Sequence, residues 1–286
     1  MISTLKGSAG CIALLLIVPS LCGATDISIG GTLLTIPDPA GFSPVTQQMS
    51  VLYELEKQFV APTNAEYVAF IPDQVVAAAL KGDLSNLARR FTVQTPKNLV
   101  ETSVSTADFA KLKGILKSQN TELMKKVEAQ MPGLMKQLNE GFQSKYNVDP
   151  AFSVSQMLPM PAHEETDRTL AYSAFVKYDM KDANGKPAPF VIVVTTTFAH
   201  VKGKVLLLYC YAEESGLEWS RESARRWGNA IVAANPSDPQ ASAREAMSSR
   251  ASAFDWSKVG EKAIVGGIIG LIVGLISWVK KRGKSS

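Results

Sequence analysis

At 286 residues the chain is long enough to bury a proper core, as one large domain or two small ones. Its net charge of +4 sits at the ends. Without Lys6 it is about +3, and without Lys280, Lys281, Arg282 and Lys284 as well it is about −1. A body so near neutrality lacks the clustered Lys and Arg that displace counterions, which argues against nucleic acid as a partner; of three cysteines only Cys210 lies beyond the leader, which excludes a disulfide-stapled fold.

Met1–Ala24 has the three parts of a secretory signal: Lys6, the apolar run Cys11–Val18, and the small residues Cys22-Gly23-Ala24 for cleavage after Ala24. The apolar run is too short for a stable span. A lipoprotein signal with Cys22 acylated is opposed by Leu21, where a small residue is wanted. An uncleaved anchor is the other alternative.

The body opens with a strand at Thr32–Ile36, stopped by Pro37, Pro39 and Gly41. Thr46–Val60 follows as an amphipathic helix, with Met49, Leu52, Leu55, Phe59 and Val60 at helical spacing. Tyr67–Ile71 and Phe91–Val93 read as strands closed by Pro72 and Pro96, with a short helix at Val75–Leu80 between them. Ser105–Tyr146 is the longest helical signal. Ser105 and Asp108 fit a capping box, and one apolar stripe runs through Phe109, Leu112, Leu116, Leu123, Val127, Met131, Met135, Leu138 and Phe142. Pro132-Gly133 should kink or split this helix, because proline removes a backbone donor and clashes with the preceding turn. The stripe is expected to pack on the body's own sheet.

From Thr169 the period changes from helix to strand. Leu170–Tyr178, Phe190–Phe198 and Val205–Ala212 form an antiparallel meander, joined by the polar loop Lys181–Ala188 and a tight turn at Val201–Lys204. The last strand, VLLLYCYA, is apolar at successive positions and should be central, with both faces covered. Ser215–Asn235 reads as a helix with a second capping box at Ser215 and Glu218, and Pro236–Lys262 as a spacer.

The element order over Thr169–Asn235, with the opening Thr32–Phe42 segment, resembles PsbP-like α/β sandwich proteins. The long Ser105–Tyr146 helix departs from that pattern. The resemblance implies an accessory or binding module more than an enzyme, although a fold does not establish a function.

Ala263–Val279 contains no charged residue and runs into the basic tail Lys280–Ser286. The expected architecture is therefore α+β: a signal peptide (1–24), an extracytoplasmic body (25–235) built on an antiparallel sheet packed by helices, a spacer (236–262), a single transmembrane helix (263–279) and a cytoplasmic tail (280–286). In a bacterium that places the body in the periplasm, anchored in the inner membrane. Seventeen residues span only about 25 Å of a roughly 30 Å hydrocarbon core, so Trp256 and Trp278 are read as marking the interfaces. The form also fits a sorting tail that is clipped. Gly266, Gly270 and Gly274 recur every four residues and would allow close helix approach, hence a homo-oligomer through the span or contact with another protein.

No nucleophile elbow, Walker loop or strand-linked GxGxxG is present, and His163-Glu164-Glu165-Thr166-Asp167 is not HExxH. No catalytic, cofactor-binding or metal-binding residue is assigned from the sequence. The acidic run reads as a solvated loop. Cys210, mid-strand without a neighbouring base, reads as a buried structural thiol. A periplasmic hydrolase assembled from His163, Glu164, Asp167 or His200 is the alternative, and a small-ligand or lipid sensor is a third.

Overall fold

The computed structural model describes residues 23–58, 60–146, 153–179, 187, 189–236 and 255–270. The strand with no alternation organises the rest. β10 (Lys204–Glu213) lies between β5 (Arg90–Pro96) and β9 (Phe190–Val201), antiparallel to both. Buried on both faces, it has no solvent-facing side, and this is why its sequence reads as a nearly continuous apolar run.

Around it runs a sheet in the order β3-β4-β5-β10-β9-β8-β6, with β3 at Phe42–Pro44, β4 at Asn64–Pro72, β6 at Ser153–Pro159 and β8 at Thr169–Asp179. The two-residue β7 (Glu164–Glu165) pairs with β8. Separately, β1 (Ala24–Ile29) and β2 (Thr32–Pro37) form a hairpin across Gly30 and Gly31. Both turn glycines have positive φ (50° and 76°), which other residues adopt only with strain. The meander of β8, β9 and β10 matches its expected form, and its tight turn is made by Lys202 and Gly203, at φ 46° and 75°.

Two cores result, one on each side. On one face the β1–β2 hairpin and α4 (Leu217–Ala234) close over Phe70, Phe91, Val93, Leu206, Leu208 and Cys210. Trp227 meets Phe70 and Phe91 edge-on, and its indole N–H donates to the Pro37 carbonyl at 2.8 Å. On the other face sit α1 (Ser50–Gln58), α2 (Asp73–Ala79), α3 (Thr106–Tyr146) and α5 (Trp256–Gly270).

The apolar stripe of α3 is buried from Phe109 to Met135, packed on α5, which the sequence assigns to the spacer and the span, and on β6, which it does not reveal. The side chains of Leu138 and Phe142 fall outside the described set. Ser105 caps α3, its hydroxyl accepting from the Asp108 amide at 3.1 Å and donating to the Asp108 carboxylate at 2.8 Å. α3 is not split at Pro132 but runs through it as one helix. Pro132 and Gly133 lie on its exposed side, where water can satisfy the carbonyl freed by the missing N–H.

Two further expectations change. The box at Ser215 and Glu218 does not form: a 3-10 turn over Glu214–Gly216 leads into α4, whose first turn carries no side-chain cap. The acidic run is a solvated segment only in part: Glu165, Thr166 and Asp167 are exposed, but Glu164 and Glu165 pair with β8, and Glu165 bridges Lys113 and Lys117 of α3. β6 carries too little periodicity to be seen in the sequence, and the alternating β1, beside the leader, is not among the expected strands.

The α+β reading holds. Among the described residues, no helix is long and apolar enough to cross a membrane. The first half of the expected span, Ala263–Gly270, lies on the sheet as the end of α5, while Leu271–Val279, the basic tail, the signal segment Met1–Cys22 and residues 237–254 lie outside the described residues.

Candidate functional site

Strand alternation assembles a polar floor beneath α5. On β5, Arg90, Thr92 and Gln94 face α5 while Phe91 and Val93 face α4; on β10, Tyr209 and Tyr211 face α5 while Leu208 and Cys210 face α4. β4 contributes Asn64 and Glu66 only because it bulges after Glu66. The bulge reverses the parity, so that Val68 and Phe70 beyond it point to the opposite core.

Hydrogen bonds join Glu66, Gln94, Asn64, Tyr209 and Tyr178 to one another or to α5, while the buried hydroxyls of Thr92 and Tyr211 lie outside this set. The Gln94 amide donates to Glu66 Oε2 at 3.1 Å, and Asn64 Nδ2 donates to Gln94 Oε1 at 3.0 Å and to the Lys262 carbonyl of α5 at 3.3 Å. The Tyr209 hydroxyl donates to the Ala263 carbonyl at 2.7 Å, and that of Tyr178 on β8 to the Ile268 carbonyl at 2.6 Å. Three main-chain carbonyls of one helix thus accept from the sheet.

Beside them Arg90 Nη1 meets both carboxylate oxygens of Glu56 on α1, at 2.6 and 2.7 Å, and its guanidinium lies 4.6 Å from the centre of the Tyr211 ring. Arg90 is 1% exposed, and its Nη2 has no hydrogen-bond partner among the described residues. Desolvation, with repulsion from Glu56, pushes the Glu66 carboxyl well above the usual carboxylate range despite the attraction of Arg90. A cleft of about 340 Å³ reaches Glu56, Asn64 and Glu66 from outside, past Lys57 and Lys97.

The glycines fit this floor. A Cβ on Gly266 would stand 2.5 Å from the Tyr209 hydroxyl and 3.0 Å from Gln94 Oε1, and would also overlap the Asn64 amide. One on Gly270 would collide with the Tyr211 hydroxyl, and one on Gly260 would come within 2.8 Å of Leu116 and 3.0 Å of Leu123 on α3. Gly266 and Gly270, read from sequence as a contact face, therefore lie against tyrosines of the sheet, while Gly274 lies outside the described residues. The tyrosines were missed because β10 read simply as apolar. The available signal was two phenol hydroxyls on a strand buried on both faces, each of which needs an acceptor.

The alternative catalytic set is not brought together. His200 stacks on Phe109 at 5.2 Å and its Nε2 lies 2.6 Å from the Val104 carbonyl, on the α3 side of the sheet. His163 lies towards α4, where burial and the positive charge of Arg221 lower its pKa to about 4. No group of three or more His, Cys, Asp or Glu that could hold a metal occurs among the described residues. Cys210 is buried, and burial pushes its thiol far up. Glu213 is forked by Arg89, which in turn lies 4.6 Å from the centre of the Trp219 ring. Thr195 joins Ser173 and Ser220 in a buried hydroxyl chain under α4, whereas Thr196 faces α5. Arg225 and Arg226 pair with Glu222 on the helix surface.

No family model matches the chain, and no curated protein does. Among solved structures it is similar to the solution structure of cyanobacterial PsbP (CyanoP) from Synechocystis sp. PCC 6803, at 10% identity over 80% of this chain and 96% of that one, with a TM-score of 0.25. The likeness to the PsbP fold is weak and carries no functional reading.

Proposed function

We propose that the chain is a membrane-anchored extracytoplasmic module with an accessory, protein-binding role, whose working surface is the sheet face that holds an apolar, glycine-bearing helix. One observation carries this reading: Asn64, Tyr209 and Tyr178 donate to the carbonyls of Lys262, Ala263 and Ile268, while Gly266 and Gly270 clear the way for the sheet side chains. A surface that grips main-chain carbonyls of a helix through glycine gaps reads backbone and spacing more than side-chain identity. The secretory signal at Met1–Ala24 and the apolar Ala263–Val279 with its basic flank support the compartment and the anchor.

The test introduces a protease site into residues 237–254 of the full chain. After cleavage the fragment carrying Trp256–Gly270 should co-elute with the body in lipid-free buffer. Prompt separation of the two fragments would overturn the helix-holding reading.

A further inference from the structure

We infer that the sheet face and the lipid bilayer compete for one segment, so that α5 docks on the sheet in the absence of membrane and leaves it to form the span, uncovering the Tyr178–Tyr209 surface. The inference rests on the proposal that the tail is membrane-directed.

Length is the first argument. With Ala263–Gly270 on the sheet, nine apolar residues remain, Leu271–Val279, and as a helix they cover about 13 Å, less than half of a roughly 30 Å hydrocarbon core. Docking and spanning are therefore mutually exclusive for this chain. Connectivity permits the exchange, because α4 ends at Ala234 and α5 begins only at Trp256. The contacts of α5 are also of a kind that a bilayer can replace. Ala263, Val265, Ile268 and Ile269 lose apolar neighbours and gain lipid chains, and a helix in lipid satisfies its backbone internally. The basic cluster Lys280–Lys284 adds attraction to anionic headgroups, so an anionic surface favours the undocked state.

What undocking leaves behind is a specific surface. Leu116 and Leu123 on α3 lose Gly260, and Tyr209 and Tyr178 lose their acceptors. Those are the requirements of a second glycine-bearing helix, and a partner that supplies one could bind only after membrane insertion.

The experiment uses the full chain with Cys11 and Cys22 replaced by serine and with Leu123→Cys, a position 1% exposed beneath Gly260. Cys210 is buried and contributes only slow background. Maleimide labelling is followed with and without vesicles of phosphatidylethanolamine and phosphatidylglycerol, alongside flotation of the protein with the vesicles. Labelling should be slow in buffer and at least tenfold faster once the protein floats. Adding Tyr209→Phe, which leaves the lipid affinity of the tail untouched, should speed labelling in buffer a further fivefold or so, the factor one hydrogen bond is worth. Flotation with labelling unchanged would overturn the competition while leaving the anchor standing. No flotation at all would sink the anchor and the competition together.

Discussion

Gly266→Ala separates a helix fitted to a sheet from a helix that merely tolerates glycine. The added methyl would stand 2.5 Å from the Tyr209 hydroxyl and 3.0 Å from Gln94 Oε1, with Asn64 nearer still, and all three side chains are held by hydrogen bonds. Ordinary contact needs about 3.5 Å, so α5 must lift by roughly 1 Å or the floor must open. Either movement breaks the bonds from Tyr209 to Ala263 and from Asn64 to Lys262 and leaves their buried donors without these acceptors, at about 2 kcal/mol apiece. Against this stands the helix preference of alanine, about 0.5–1 kcal/mol. The net expectation is a loss of about 2–4 kcal/mol in the urea unfolding of the full chain without lipid, read by tryptophan fluorescence. Gly133→Ala is the matched control: it too is mid-helix, but a Cβ there meets nothing within 4 Å, so it should gain about 0.5–1 kcal/mol. If Gly266→Ala stabilised the chain as Gly133→Ala does, the docking geometry would be refuted.

Arg90→Met should cost about 3–5 kcal/mol by leaving Glu56 charged and unpaired in the core, and adding Glu56→Gln should recover much of it, since the pair as a whole contributes little; a double-mutant cycle of urea midpoints decides. Glu66 binds its proton more tightly folded than unfolded, so its contribution is fully present below its unfolded pKa, 4.5, and is lost as pH rises through the higher folded value. Glu66→Gln should accordingly flatten the fall of stability with rising pH in thermal melts, and an unchanged slope would exclude Glu66 as its source. Ser105→Ala removes the α3 cap and should cost about 0.5–2 kcal/mol, with the earliest loss of amide protection in the first turn of α3 by hydrogen exchange.

Much of the fold could be read from the sequence where one signal dominated. The α3 stripe fixed a face, and the β8–β10 meander carried both alternation and turns, so both came out with nearly their observed bounds. β6 escaped because it has one buried position in seven, Met157, and so no readable period. The polar floor escaped for another reason. Its members come from α1, β4, β5, β8 and β10, and the parity that gathers Asn64 and Glu66 depends on a bulge that no local pattern announces. Of the two outcomes expected at Pro132, the split does not occur, because solvent can take the place of the missing donor where the helix is exposed.

The tail shows why apolarity alone does not specify a solvent. Ala263–Gly270 is uncharged, and its glycine spacing allows close approach by any flat partner; a second membrane helix satisfies that description, and so does a sheet carrying tyrosines. The two environments differ in what they offer the backbone. A bilayer offers nothing, and the helix keeps its carbonyls to itself, whereas this sheet presents Asn64, Tyr209 and Tyr178 at the carbonyls of Lys262, Ala263 and Ile268. Those donors would have no acceptors beneath an empty face. A buried tyrosine hydroxyl without a partner costs about 1–3 kcal/mol, so the floor itself favours a helix in place whenever lipid does not hold it. On the proposed competition the balance between the docked and the lipid-held helix depends on the sheet as much as on the tail, and substitutions at Tyr178 or Tyr209 should shift membrane partition without changing a residue of the tail.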